Sequence, residues 1–176
     1  TGLGKFDHHQ PEKAHDKKCA AMLIYEHLCQ IHPALKQDKA LRELVGFVNE
    51  IDHFQEIHWP EASSLRYVFM LHELIRGFEL VHPQNDQAQL KYGMDCLDYA
   101  YQLVHQTIQA NKIIEKEGIQ FSITAGPCIA LKTSNEETIK QAQKQGYILV
   151  FRKDPQQGHI RIKVRPDAQL TLKKLY

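Results

Sequence analysis

The chain has 176 residues, of which 43% are apolar, and its formal net charge is +1. This length and apolar content suffice for one sizeable core or two small ones. There is no apolar run of about 18 residues and no charged-then-apolar leader, so neither a membrane span nor a signal peptide is indicated. The four cysteines form no CxxC pair and are typical of reduced cysteines in a cytoplasmic protein, so a structural zinc site is not indicated. They are Cys19, Cys29, Cys96 and Cys128.

Residues 4–10, Gly-Lys-Phe-Asp-His-His-Gln, place one acid and two adjacent imidazoles after a short apolar lead. Neutral imidazole nitrogen binds Mn, Fe or Zn, and carboxylate oxygen favours Mg and Mn. A neighbouring Asp can also hold a ligand His by accepting its other ring N–H. The alternative is chance, because the chain has 11 histidines and two adjacent ones can fall on a solvated loop. We predict that residues 1–6 end a strand that presents this segment at the sheet edge where α/β proteins place ligand sites.

The pattern Gly-x-Phe-Asp-His-His-Gln resembles motif III of the DHH phosphoesterase superfamily. That superfamily includes RecJ-type exonucleases, oligonucleotide and cyclic-dinucleotide phosphodiesterases, and the manganese family of inorganic pyrophosphatases. Together with residues 146–150 and 158–162, the pattern is most similar to the melanocyte-proliferating-gene-type branch, which is associated with metal-dependent exonuclease activity. The resemblance implies a divalent metal cofactor, Mn or alternatively Mg, and a phosphate-bearing substrate such as an oligonucleotide or nucleic acid.

Carried over position by position, the resemblance makes His8 a metal ligand, His9 a contact to the substrate phosphate, and Asp7 an acid that orients its neighbours. The superfamily has a later Asp ligand at a helix end, for which Asp52 is the candidate. Apolar residues at helical spacing precede Asp52 and predict that it ends a helix. An ordinary charge at a helix boundary is the alternative. The apolar residues are Leu41, Leu44, Val45, Val48 and Ile51.

Members of the superfamily also carry two earlier motifs, a His-x-x-x-Asp-x-Asp-like group and a further Asp, that supply most of the other ligands of a two-metal centre. Only six residues precede Asp7, and the chain starts at Thr1. We therefore expect an N-terminally incomplete piece. With His8 and Asp52 alone, tight binding of two ions and efficient catalysis are not expected from this chain by itself.

Helices are predicted over residues 14–30, 39–54, 64–78 and 87–117. The last carries a heptad-like stripe, which is typical of a helix packed on a core or connecting two domains. Self-association into a homodimer is the alternative. The stripe consists of Leu90, Met94, Leu97, Tyr101, Val104, Ile108 and Asn111.

Beyond Gly118 the pattern changes to short β-rich runs. Strands are predicted over 119–124, 128–132, 147–153 and 159–164, with a helix over 135–145 and a hairpin turn over 154–158. In the last strand Arg161, Lys163 and Arg165 alternate with apolar residues, so the cations share one face.

The C-terminal part is basic, because residues 132–176 contain ten Lys or Arg against four acids, a balance of +6. A basic patch indicates a phosphate-bearing partner, although it is also common on a solvated face. Aromatic residues for base stacking are few, namely Tyr147, Phe151 and Tyr176. The predicted substrate-binding residues are Lys153, Gly158, His159, Arg161 and Lys163.

These patterns predict an α/β protein in three parts. Residues 1–84 would be the mostly helical C-terminal portion of a DHH-type domain, 85–117 a long connecting helix, and 118–176 a small basic α+β domain that binds substrate.

Three functions follow from these patterns. The first is a metal-dependent phosphohydrolase of DHH type, incomplete in this chain. The second is a non-catalytic module that binds phosphate or nucleic acid, and the third is a helical self-association unit. No Ser or Cys nucleophile is indicated, and no glycine-rich loop for ATP or NAD is present.

Overall fold

The computed structural model describes residues 4–7, 9 and 17–173. These residues form two compact units, one within residues 1–104 and the other within residues 105–176. Five α-helices and one four-stranded sheet are present among them, so the predicted α/β class is confirmed at that level. The three-part division of the chain stays a prediction. In the described part of the chain, no helix combines the length and the hydropathy that crossing a membrane requires.

The first unit is helical. Its elements are α1 (Ala20–Ile31), α2 (Lys39–Asp52), α3 (Leu71–Val81) and the first part of α4 (Asp86–Glu117), with short 3-10 helices at Pro33–Gln37, Gln55–His58 and Leu65–Phe69. The sequence predicted all four α-helices, and the bounds of α4 agree within one residue. The helix predicted over 14–30 begins at Ala20 instead, and residues 14–16 lie outside the described residues. The predicted helix over 64–78 is two elements instead, because the extended Met70 separates the 3-10 turn from α3.

Two side chains connect the helices of this unit. Asp38 caps α2, because its Oδ1 accepts a hydrogen bond from the Leu41 N–H at 3.0 Å, and its Oδ2 accepts one from the Tyr101 hydroxyl at 2.8 Å. Asn49 in α2 accepts a hydrogen bond from the Cys19 N–H at 2.7 Å, at the start of α1. A capping carboxylate satisfies an N–H group that the helix leaves unpaired. These contacts join α4 to the start of α2 and join the start of α1 to the last turn of α2, where Asp52 lies.

Residues 4–6 form a turn, so the strand predicted over residues 1–6 is wrong for this part, and residues 1–3 lie outside the described residues. The Asp7 N–H donates to the Gly4 carbonyl at 3.0 Å and closes the turn. The Phe6 ring lies 5.2 Å from the His27 ring of α1, with the two planes tilted by 46°. A short apolar run becomes a strand only beside a pairing partner, whereas here Lys5 and Phe6 both contact His27 of α1.

The second unit contains β1 (Ile119–Ile123), β2 (Gly126–Lys132), α5 (Glu137–Lys144), β3 (Leu149–Lys153) and β4 (Ile160–Val164). The strand order is β1-β2-β3-β4. The two outer pairs are antiparallel, and the central pair β2-β3 is parallel, connected through α5. A parallel pair needs such a crossover, whereas antiparallel neighbours need only a short turn.

One side of the sheet, the helix-covered face, packs against α5 and the end of α4. Its core is buried and apolar. The sheet contributes Ile129, Leu131 and Val150, and the helices contribute Ile114, Ile139 and Ala142.

The other side is the open face. Cys128, Ile148 and Leu149 are buried there, partly beneath residues 168–172 of the C-terminal segment. Its β1 side remains exposed, with Ile119 at 70% and Phe121 at 39% of their full accessibility. The two faces of this small sheet are therefore unequal: one is closed by helices and the other is only half covered.

The stripe predicted on α4 changes character along the helix. Near its N-terminal end Leu90 and Met94 are exposed, whereas Tyr101 is tied to Asp38 and, further along, Ile114 is buried in the sheet core. The C-terminal end thus packs as a core helix does, and self-association through the exposed end stays a prediction.

Candidate functional site

The predicted Asp-His-His segment brings Asp7 and His9 into direct contact. The Asp7 Oδ1 atom accepts a hydrogen bond from the His9 backbone N–H at 2.9 Å and lies 3.2 Å from His9 Nδ1. The Asp7 side chain is mostly buried and that of His9 mostly exposed, at 13% and 72%. His8, the predicted metal ligand, lies outside the described residues.

This contact bears on the tautomer of the His9 ring. An ionised carboxylate can only accept hydrogen bonds, so the short contact to Asp7 places a proton on His9 Nδ1. In the neutral imidazole Nε2 then carries the lone pair. This is the tautomer that a metal-binding histidine uses. A phosphate oxygen only accepts hydrogen bonds, so a histidine that contacts phosphate must also carry a proton on Nε2. The orienting role of Asp7 stays a prediction.

Asp52 ends α2, as predicted, and His53 follows it as the C-cap residue. His53 Nδ1 lies 2.8 Å from the Asn49 carbonyl oxygen and 4.0 Å from the Asp52 Oδ2 atom. The carbonyl is an acceptor, so Nδ1 donates and Nε2 again carries the lone pair in the neutral ring. The sequence analysis did not single out His53. His53 follows Asn49 by four residues and lies just past the end of α2. This spacing is the sequence signal for its hydrogen bond back to the Asn49 carbonyl oxygen.

The candidate ligands in the first unit are carboxylates, which bind Mn or Mg, and imidazoles, which bind Mn. Across residues 4–7, 9 and 17–173, however, no three His, Cys, Asp or Glu side chains are gathered closely enough to hold an ion. The described side chains by themselves therefore do not fit a metal centre. A centre there requires His8 or other groups beyond the described ones.

The predicted substrate residues occupy both faces of the sheet in the second unit. Arg161 and Lys163 lie on the helix-covered side of β4, whereas Lys153 lies on the open face beside Ile160. Gly158, with φ of 75°, and His159 lie in the turn that joins β3 and β4. The alternation predicted for β4 is present, but the five residues do not form one continuous floor.

A fully buried arginine lies on the helix-covered face. Arg152 Nη1 donates to the Thr133 carbonyl at 3.1 Å and lies 3.6 Å from Asp154 Oδ2, while Nη2 lies 3.3 Å from Glu136 Oε1. Arg161 Nη1 approaches the same Glu136 oxygen at 2.9 Å. Two of the cations that the sequence assigns to a basic patch are therefore committed to an internal ion network.

No family model, curated protein or solved structure matches the chain. The resemblance to DHH phosphoesterases accordingly rests on the quoted residues, and the local geometry of Asp7 and His9 is the structural observation that bears on it.

Arg152 and Phe121 are the other residues that sequence reasoning did not single out. Period-two alternation along β1 and β3 is the signal that assigns each of them to a face.

Asp154 belongs to the network and closes the turn after β3. Its Oδ1 accepts hydrogen bonds from the N–H groups of Gln156 and Gln157, at 2.9 and 3.0 Å. Donation from Gln157 and then Gln156 lowers the pKa of Asp154 below its ordinary value of 3.8; burial opposes the shift, and the charges of Arg152 and His159 add to it. Hydrogen bonds to the charged form of a carboxyl stabilise that form.

We expect the free energy of unfolding to decrease on acidification because of Asp154. Because its pKa is lower in the folded state, the unfolded chain binds the proton first, so the stabilisation is complete above the ordinary value of 3.8 and disappears as pH falls below it toward the folded pKa. Asp154→Asn keeps a side-chain acceptor but cannot ionise, so it should flatten the loss of unfolding free energy between about pH 5 and pH 2. Urea titrations across that range measure it, with exposed Asp98→Asn as the control. An unchanged acid dependence in Asp154→Asn would contradict this assignment.

Proposed function

We propose that this chain is part of a metal-dependent phosphoesterase of DHH type that acts on an oligonucleotide or nucleic acid. The observation that carries the proposal is the hydrogen-bonded pair of Asp7 and His9, in which a mostly buried acid holds an exposed imidazole. The arrangement supports the roles implied by the resemblance. Asp7 would orient His9, and His9, protonated on both ring nitrogens, would donate from Nε2 to a phosphate oxygen.

In the proposed centre, Mn or Mg would be held by His8 and Asp52 together with ligands that the described residues do not include. His9 would contact a phosphate oxygen. The Asp52-His53 pair at the end of α2 adds a second oriented imidazole close to the proposed ligand Asp52. The second unit would contact nucleic-acid phosphates separately, through Lys153 on its open face and Lys163 on its helix-covered side.

The first test is metal binding, because it does not require a complete active centre. We expect the chain to bind Mn, measured as loss of the free-ion signal in electron paramagnetic resonance, and His8→Ala or Asp52→Ala to weaken that binding about ten- to hundredfold. His32→Ala, at an exposed position after α1, is the matched control. Mn affinity that is equal in all four chains would remove the proposed metal site.

The second test is hydrolysis of a short labelled oligonucleotide with Mn, by this chain and by any longer product of the parent gene. His9→Ala should abolish the hydrolysis that wild type shows while leaving Mn affinity close to wild type, because its role is at the phosphate. Loss of Mn binding and of hydrolysis together in His9→Ala would instead make His9 a ligand. Activity that survives His9→Ala would contradict its role.

A non-catalytic module that binds nucleic acid is the second candidate. The observation that favours it is the basic balance of residues 132–176, with +6 against −5 for the rest of the chain. Oligonucleotide binding without hydrolysis in every form, unaffected by changes at His8, His9 and Asp52, would favour this candidate.

A further inference from the structure

The exposed part of the open face carries an aromatic pair. Phe121 of β1 and Phe151 of β3 have ring centroids 5.9 Å apart, with planes tilted by 41°. The strand between them presents the small Ala130, whose Cα partners are Ile119 and Phe151. The result is an open depression of about 350 Å³ on the sheet. It is lined by Phe121, Ala130, Leu131, Phe151, Lys153 and Ile160.

Two lysines border this depression. Lys132 and Lys153 are Cα partners at the end of the parallel pair, and both follow the alternation onto the open face. Both are exposed. Strands β1 to β4 lie wholly within the described residues, and their open-face positions include no acid. This surface therefore carries positive charge next to the two aromatic rings.

We propose that this aromatic platform, defined as Phe121, Phe151, Lys132 and Lys153, binds single-stranded nucleic acid. Bases stack on the two phenylalanine rings, and the two lysines contact phosphates. Stacking on exposed sheet aromatics beside cations is a sequence-tolerant way to hold a single strand. The inference rests on the proposed function only in that both take nucleic acid as the ligand.

Charge complementarity favours this occupant over an apolar one. A second copy of the same surface would bring the lysines of both copies out of water with no acid opposite them on the sheet, which is costly. A single strand presents both apolar base faces and anionic phosphates, so it satisfies the rings and the lysines together. The surface is also separate from Arg152 and Arg161, which lie on the helix-covered side.

The platform can be tested with a fluorescein-labelled oligothymidylate of about eight nucleotides, by fluorescence anisotropy in EDTA. We expect binding by the wild-type chain, and Phe121→Leu to weaken it about tenfold, since leucine keeps the apolar contact but not the stack. Tyr99→Leu, at an equally aromatic but exposed position on α4, is the matched control and should bind as wild type does. An abasic strand of the same length should bind more weakly than the oligothymidylate.

The contribution of the lysines is measured by the salt dependence of the affinity. Lys153→Ala should reduce the slope of log affinity against log salt by about 0.7, the value for one phosphate contact on a single strand. Lys140→Ala, an exposed lysine of α5, is the control and should leave the slope unchanged. Should Phe121→Leu fail to fold, Phe121→Trp in a Trp59→Phe chain supplies the test, because oligothymidylate should quench its indole emission.

Three results would overturn the platform. They are no binding by wild type, equal affinity of wild type and Phe121→Leu, and a Phe121→Leu chain whose sedimentation shows a lower oligomeric state than wild type. The last would assign the surface to a second copy. Binding in EDTA uses no metal, so absence of Mn binding with an intact Phe121 effect would remove the proposed phosphoesterase and leave the platform in place.

Discussion

Replacing Arg152 by alanine is expected to lower the free energy of unfolding of the C-terminal unit by about 3–5 kcal/mol. Arg152 is completely buried, and its guanidinium contacts the Thr133 carbonyl, Glu136 and Asp154. Removing Arg152 leaves the buried Asp154 without its charge partner, which is costly, whereas Glu136 is 64% exposed and can regain water. The alanine also leaves a cavity in the volume of the long side chain.

Native-state hydrogen exchange of the β2 and β3 amides is the suitable measurement, because it reports the opening free energy of that unit separately from the helical one. Lys153→Ala, one residue further along β3 and exposed, is the control and should change the value by less than about 0.5 kcal/mol. Arg152→Met keeps most of the volume and should cost less than Arg152→Ala, since Glu136 is exposed enough to regain water and Asp154 keeps its backbone donors. Equal exchange in Arg152→Ala and wild type would contradict a stabilising role for the network.

Much of this fold could be predicted from the spacing of residues that are near neighbours in the sequence. The apolar residues of α2 recur at helical spacing and predict a helix that ends beside Asp52, and the alternation along β4 assigns Arg161 and Ile162 to opposite faces. Such signals depend only on near neighbours in sequence, which a period of 3.6 or 2 describes. The contact of Asp7 with His9 is equally local, because it joins residues i and i+2.

The remainder depends on tertiary partners. Alternation places Arg152 on one face of β3, but its contact with Glu136, 16 residues earlier at the start of α5, depends on how the chain folds back. Phe121 and Phe151 meet only because β2 pairs with β1 on one side and with β3 on the other. The turn at residues 4–6 is held by the ring of His27 in α1. A single sequence gives no direct reading of such distant pairings, and metal binding by His8 and Asp52 stays a prediction for the same reason.

The second large effect is expected from the centre of the sheet core. Ile129→Ala should lower the unfolding free energy of the same unit by about 2–5 kcal/mol, through lost burial and the cavity left behind. Ile129 is fully buried between the sheet and Ile114 of α4. It also fills the space beside Gly118, where an added Cβ would lie 2.5 Å from Ile129 Cδ1.

The sheet itself provides a matched control for that change. Ile119→Ala removes the same atoms from β1, but Ile119 is 70% exposed on the open face, so its removal should cost less than about 1 kcal/mol. Exchange of the β2 amides in the two variants measures the difference. Similar losses for Ile119 and Ile129 would mean that the open face is covered in solution, which would count against an accessible aromatic platform. A large loss at Ile129 alone would place the stabilising core of this unit on the helix-covered face and leave the open face available for a ligand.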